Sequence, residues 1–125
     1  MARAASHGLI VSKPWGDSAR YDFIAEHQGR FSRVQVKSTT HWSSGAYLCN
    51  TVSRALGLRP HSYTPDQIDF LAAFIIPEDL WYIVPTARLP RFALTLNPRD
   101  PDNKWFRSME AWHLLKSPTL RQALC

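Results

Sequence analysis

The sequence predicts a single α/β domain, and three observations carry that prediction. Tyr21–Ala25 and Phe31–Lys37 are dense in aromatic and β-branched residues and flank a polar turn, Glu26–Arg30. Phe70–Ile76 and Leu80–Val84 repeat the pattern around Pro77-Glu78-Asp79. Lys104–Lys116 sets Trp105, Met109, Trp112 and Leu115 near one stripe, the spacing of a helix. With 125 residues, 45% of them apolar, residues 1–125 form one globular domain able to bury its own core.

Taken in order, Met1–Gly8 reads as the last turns of a helix stopped by Gly8, and Leu9-Ile10-Val11 as a short buried strand. Lys13–Ala19 is a loop punctuated by Pro14 and Gly16. After the first hairpin, Ser38–Gly45 is turn-rich and Ala46–Val52 suggests another strand. Arg54–Ser62, with Gly57 and Pro60, reads as an exposed basic loop. Thr64-Pro65-Asp66-Gln67 has the pattern of a helix start, with Thr64 as N-cap and Gln67 completing a capping box. Asp66 and Asp69 read as a cap-side acid and a surface acid. Arg88–Leu96 adds a strand interrupted at Pro90, and Asn97–Asn103 is a loop. The stripe of the 104–116 helix is expected to pack on the sheet, with a surface for a homodimer or higher homo-oligomer as the alternative.

The first hairpin carries the chemistry. Strand side chains alternate, so Gln35 and Lys37 share a face. A loop from His27 to Arg30 sets Glu26 opposite Phe31, and therefore Asp22 opposite Gln35, with Cβ atoms about 4.5–5.5 Å apart. A carboxylate, an amide carbonyl and an ammonium so arranged suit metal-assisted phosphodiester hydrolysis. Asp22 and Gln35 would hold the cation, and Lys37 would orient or polarise the attacking water. Mg²⁺ takes few carboxylates, several waters and phosphate oxygens, which fits one Asp and one amide.

The flanking residues sharpen this reading. Lys13–Asp22, with its Lys-Pro-Trp-Gly-Asp start, and Arg33-Val34-Gln35-Val36-Lys37-Ser38-Thr39 resemble the PD-(D/E)xK endonucleases. The likeness is to the group I intron-associated branch, whose third motif carries Gln in place of the acid. Tyr63–Phe70 and Leu80–Pro85 are similar to that branch as well, with a weaker echo at Glu110–Leu115. The resemblance implies a restriction-endonuclease-like core, a central mixed sheet flanked by helices. It also implies Mg²⁺ dependence, with Mn²⁺ as a substitute, and a DNA substrate cut by a homing- or junction-resolving-type enzyme. Family members usually add a Glu from a helix before the first strand, whereas no acidic residue precedes Asp17 here. Residues 1–8 would be the remnant of that helix, with Asp17 as an accessory ligand. The alternative function is a nuclease-like DNA-binding module of weak or no activity.

Charge supports a polyanionic partner. The net charge is +5, and eleven of the fifteen basic residues are Arg, whose fork matches phosphate. Arg20, Arg33, Arg54 and Arg59 are the expected DNA-binding residues. The longest apolar run, Phe70–Ile76, is too short to cross a bilayer, and no signal peptide is evident. Cys49 and Cys125 form neither a metal motif nor a disulfide framework, so a cytoplasmic, nucleoid-associated setting is expected. The five His residues lack zinc-ligand spacing, and no P-loop or nucleophile-elbow motif occurs.

Overall fold

A computed structural model describes residues 1–16, 18–53 and 59–117. After helix α1 (Ala2–Ser6), the chain enters β1 (Ile10–Ser12), β2 (Phe23–His27) and the long β3 (Arg30–Thr39). These pair antiparallel, and Glu26 lies opposite Phe31 as the spacing predicts. The β2–β3 turn is tighter than a four-residue loop, because His27 itself pairs with Arg30. Gln28 and Gly29 both have positive φ (49° and 84°), the two-residue turn whose twist matches the strands it joins.

β4 (Trp42–Ser43) and β5 (Ala46–Asn50) form a second hairpin, and β6 (Val52–Ser53) pairs with β7 (His61–Ser62). The chain then returns to run β8 (Phe70–Ile75) parallel to β3, and β9 (Leu80–Pro85) turns back antiparallel to β8. The main sheet has the order β1-β2-β3-β8-β9 and is mixed, as expected. β10 (Ala93–Leu96) pairs with β5, giving a second sheet of order β10-β5-β4.

Helices do not flank the sheet. One face of the main sheet is covered by the second sheet: Leu71, Ala73, Ile75, Tyr82 and Val84 pack with Tyr47, Cys49, Leu94 and Leu96. The opposite face buries Phe23, Val34, Ala72 and Ile83 against Ala4, Leu9, Trp112 and Leu115. Among the described residues, the five-residue α1 and short 3-10 turns cover it.

The helix expected over 104–116 is not formed. Asn103 Oδ1 accepts the Trp105 amide at 3.1 Å, and two 3-10 turns follow, Phe106–Ser108 and Trp112–Leu115. Between them Met109 bridges to Tyr82, and Glu110 adopts φ +50°. The cause is packing: Trp105 and Met109 join the core on one face of the sheet, and Trp112 and Leu115 join the core on the other. A straight helix would have kept the stripe on one side. The segment wraps the β9 edge instead.

Smaller corrections have similar causes. Thr64–Gln67 makes one turn, in which the Thr64 amide donates to Gln67 Oε1 at 3.2 Å, and no helix follows. Ile68 is wholly buried and the chain enters β8 at Phe70, which ends the turn. Arg88–Leu96 yields only β10 after a 3-10 turn at Thr86–Arg88, since Pro90 has no amide to donate to a ladder. Asn50 Oδ1 accepts the Val52 amide at 2.7 Å, which splits the strand expected over 46–52. β1 is a sheet edge rather than a buried strand, with Ile10 exposed.

Candidate active site

β3 places the candidate residues. Val34 faces the closed core, so its neighbours Gln35 and Lys37 face the second sheet, alongside Leu71 and Ala73 of β8. Phe23 pairs with Val34, the last rung of the ladder, and Asp22 lies one residue beyond it in a bend. Asp22 is exposed just ahead of β2, whereas Gln35 and Lys37 are half-buried. The group therefore sits at the mouth of the space between the two sheets.

Local hydrogen bonds fix Asp22 and Gln35. The Asp22 amide donates to the Val34 carbonyl at 2.8 Å, and Asp22 Oδ2 accepts the Val36 amide at 2.7 Å. Oδ1 accepts none of the described hydrogen bonds, and Asp22 lines the adjoining cleft. Gln35 Nε2 donates to the Val36 carbonyl at 3.1 Å. That carbonyl can only accept, so the Gln35 carbonyl oxygen is the end directed away from it.

Lys37 is positioned by an aromatic ring. Its ammonium stands 5.6 Å from the centroid of the Tyr63 ring, a cation–π distance. Tyr63 lies 26 positions further along the chain, and no spacing rule points to that partnership. Lys37 also lies near Cys49, whose thiol burial pushes up to about 11 against the pull of the Lys37 charge. Cys49 is therefore a neutral thiol at physiological pH and no nucleophile.

Beside Asp22 opens a cleft of about 330 Å³ lined by Lys13, Pro14, Gly16, Ala19, Tyr21 and Asp22. Among the described residues no group of three or more His, Cys, Asp or Glu could hold a metal ion. Among the described residues, the candidate oxygen ligands here are Asp22 and the Gln35 carbonyl, to be completed by water and substrate. That hard-oxygen set fits Mg²⁺, which keeps most of its waters.

The expected basic residues divide. Arg20 is half-buried, with Nη1 3.4 Å from Ser53 Oγ, and Arg59 is exposed. Arg54 and Asp17 lie outside the described residues. Arg33 is already engaged: its side chain donates to both Asp69 oxygens at 3.1 Å and to the carbonyls of Asp66 (2.6 Å) and Pro65 (2.8 Å). Its backbone amide donates to Asp69 Oδ2 at 2.7 Å, and the Asp69 amide returns a bond to the Arg33 carbonyl at 2.9 Å. This bolt ties β3 to the start of β8, so Arg33 leaves the phosphate-binding set. Asp69 is a structural partner rather than a free surface acid.

A family model described as PD-(D/E)XK endonuclease matches residues 1–115. The chain belongs to the PD-(D/E)XK endonuclease family. Among solved structures it is similar to a bacterial homing endonuclease, I-Ssp6803I, with a TM-score of 0.75 and 27% sequence identity, over 90% of this chain and 82% of that one. No curated protein matches it. No helix among the described residues is long and apolar enough to cross a membrane.

Proposed function

We propose that this PD-(D/E)XK chain is a Mg²⁺-dependent DNA endonuclease of homing or junction-resolving type, with Asp22, Gln35 and Lys37 as its reactive set. The observation that supports the reading is the Asp22 carboxylate bonded to the Val36 amide, between Gln35 and Lys37, which share one face of β3. Asp22 Oδ1 and the Gln35 carbonyl would hold the cation, and Mn²⁺ would serve in its place. When bound, the cation lowers the pKa of a water and neutralises charge on the phosphate. Lys37, steadied over Tyr63, orients the attacking water or donates to a phosphate oxygen. Arg20 and Arg59 would hold flanking phosphates, as would Arg54.

Cleavage of supercoiled DNA tests this. Mg²⁺ or Mn²⁺ should support cutting, and Ca²⁺ should permit binding with little cutting. Asp22→Ala should abolish metal binding at the site, since one amide oxygen does not hold Mg²⁺ alone. Lys37→Ala should leave metal binding intact and lower the rate on the order of 10²-fold, the usual loss for a preorganised charge. Gln35→Glu should tighten metal binding. Unchanged cutting by Lys37→Ala would place the activity elsewhere.

A second reading, a DNA-binding module of low turnover, is favoured by the absence of a group of three acids, His or Cys among the described residues. It predicts salt-dependent binding, with a log–log slope near −0.9 per phosphate neutralised, and no Mg²⁺-dependent cutting.

A further inference from the structure

Trp15 is fully exposed, at 103% of its reference area, while Trp105 and Trp112 are buried at 3% and 1%. An indole is the largest apolar side chain, and leaving one wholly in water forfeits the burial that usually places it inside. The loop is built to present it. Pro14 fixes its own backbone on one side, and Gly16 on the other has φ +99°, a conformation side chains other than glycine rarely adopt. Pro14 and Gly16 both line the cleft whose wall carries Asp22, and the exposed ammonium of Lys13 lines it too. A ligand reaching Asp22 through this cleft passes Lys13, and the exposed Trp15 lies in the chain between two of the residues that line it.

A cleft that holds a cation beside a site for phosphate chemistry, with an exposed aromatic plate on the same loop, matches a nucleotide whose base is out of the duplex stack. We propose that the β1–β2 loop grips such a nucleotide: Trp15 stacks on its base and Lys13 neutralises its phosphate, next to the phosphodiester at Asp22. This rests on the DNA reading above and refines it. The preferred substrate is DNA with an unpaired or easily unstacked base beside the cleaved bond, because the duplex then surrenders less stacking to Trp15. The sequence offered a signal, a Trp between Pro and Gly in a polar loop, but no buried partner with which to place it.

The test uses the full chain in Ca²⁺ with two short duplexes, one fully paired and one carrying a single unpaired base. The wild type should bind the second more tightly. Trp15→Ala should weaken that binding about tenfold and erase the preference, and Trp15→Phe should keep most of it. Lys13→Ala should weaken binding to both duplexes and reduce the salt slope by about 0.9, with Lys13→Arg restoring it. Trp15 has no packing to lose, so the Trp15→Ala melting temperature should equal that of the wild type. Retention of the preference by Trp15→Ala overturns the inference alone, and so does a smaller oligomer with unchanged DNA affinity, which would make Trp15 a self-association contact. A wild type that binds neither duplex at low salt overturns the DNA reading together with it.

Discussion

The two faces of β3 use similar residue types to opposite ends. On the closed face Val34 and its neighbours Phe23, Ala72 and Ile83 pack against Trp112, and a glutamate at the β9 edge completes the seal. That Glu110 carboxylate accepts from Arg3 Nη1 at 2.7 Å, the Trp81 amide at 2.9 Å and Trp112 Nε1 at 3.0 Å. On the open face the Asp22 carboxylate accepts one described hydrogen bond, from Val36. A carboxylate offers about four acceptor positions, so Glu110 is nearly spent and Asp22 keeps capacity in hand. Occupied acids hold this fold together. The acid with spare oxygens stands where a ligand can reach it.

If the closed face holds the sheet, its centre should be the most sensitive point. Trp112→Ala should lower unfolding free energy by about 3–5 kcal/mol in urea titration, the usual cost of truncating a buried aromatic. A loss under about 1 kcal/mol would mean that the inter-sheet core alone holds the domain. Glu110→Ala should cost less, about 2 kcal/mol by the same titration, because it strands the half-buried Trp81 amide and the Trp112 indole N–H. It should leave DNA affinity unchanged at matched folded fraction. An affinity change without a stability change would make Glu110 part of the site rather than of the seal.

The sequence displayed the open face more clearly than the closed one. Period-two alternation and a short loop made the Glu26–Phe31 pairing and the shared face of Gln35 and Lys37 legible, since those relations are local. The β8–β9 hairpin was legible for the same reason. The C-terminal segment was not, because Trp105 and Trp112 at helical spacing satisfy a helix pattern equally well when they serve two different cores. Nor could spacing show that Tyr63 sits beneath Lys37, or that Arg33 spends its guanidinium on Asp69. Those partners meet only once β8 crosses over to lie parallel to β3.

The smallest expected effect separates support of the site from the site itself. Asp69 bolts β3 to the segment that carries Tyr63, and Tyr63 in turn steadies Lys37. Burial alone would raise the Asp69 pKa, but hydrogen bonds and charge from Arg33 outweigh it and hold the carboxyl below its ordinary value. A carboxyl depressed in the folded state stabilises fully above its unfolded pKa, about 3.9, and loses that contribution as pH falls through the folded value. With the pair about one-third exposed, solvent screening limits the gain. Asp69→Asn should therefore cost about 1 kcal/mol at neutral pH, and the gap to the wild type should narrow as pH falls below the unfolded value and through the depressed folded one in parallel urea titrations. Activity should fall further than stability, since a loosened Tyr63 frees Lys37 while Asp22 and its Val36 bond stay in place. Equal activity with the expected stability loss would show that Lys37 holds its position without the bolt.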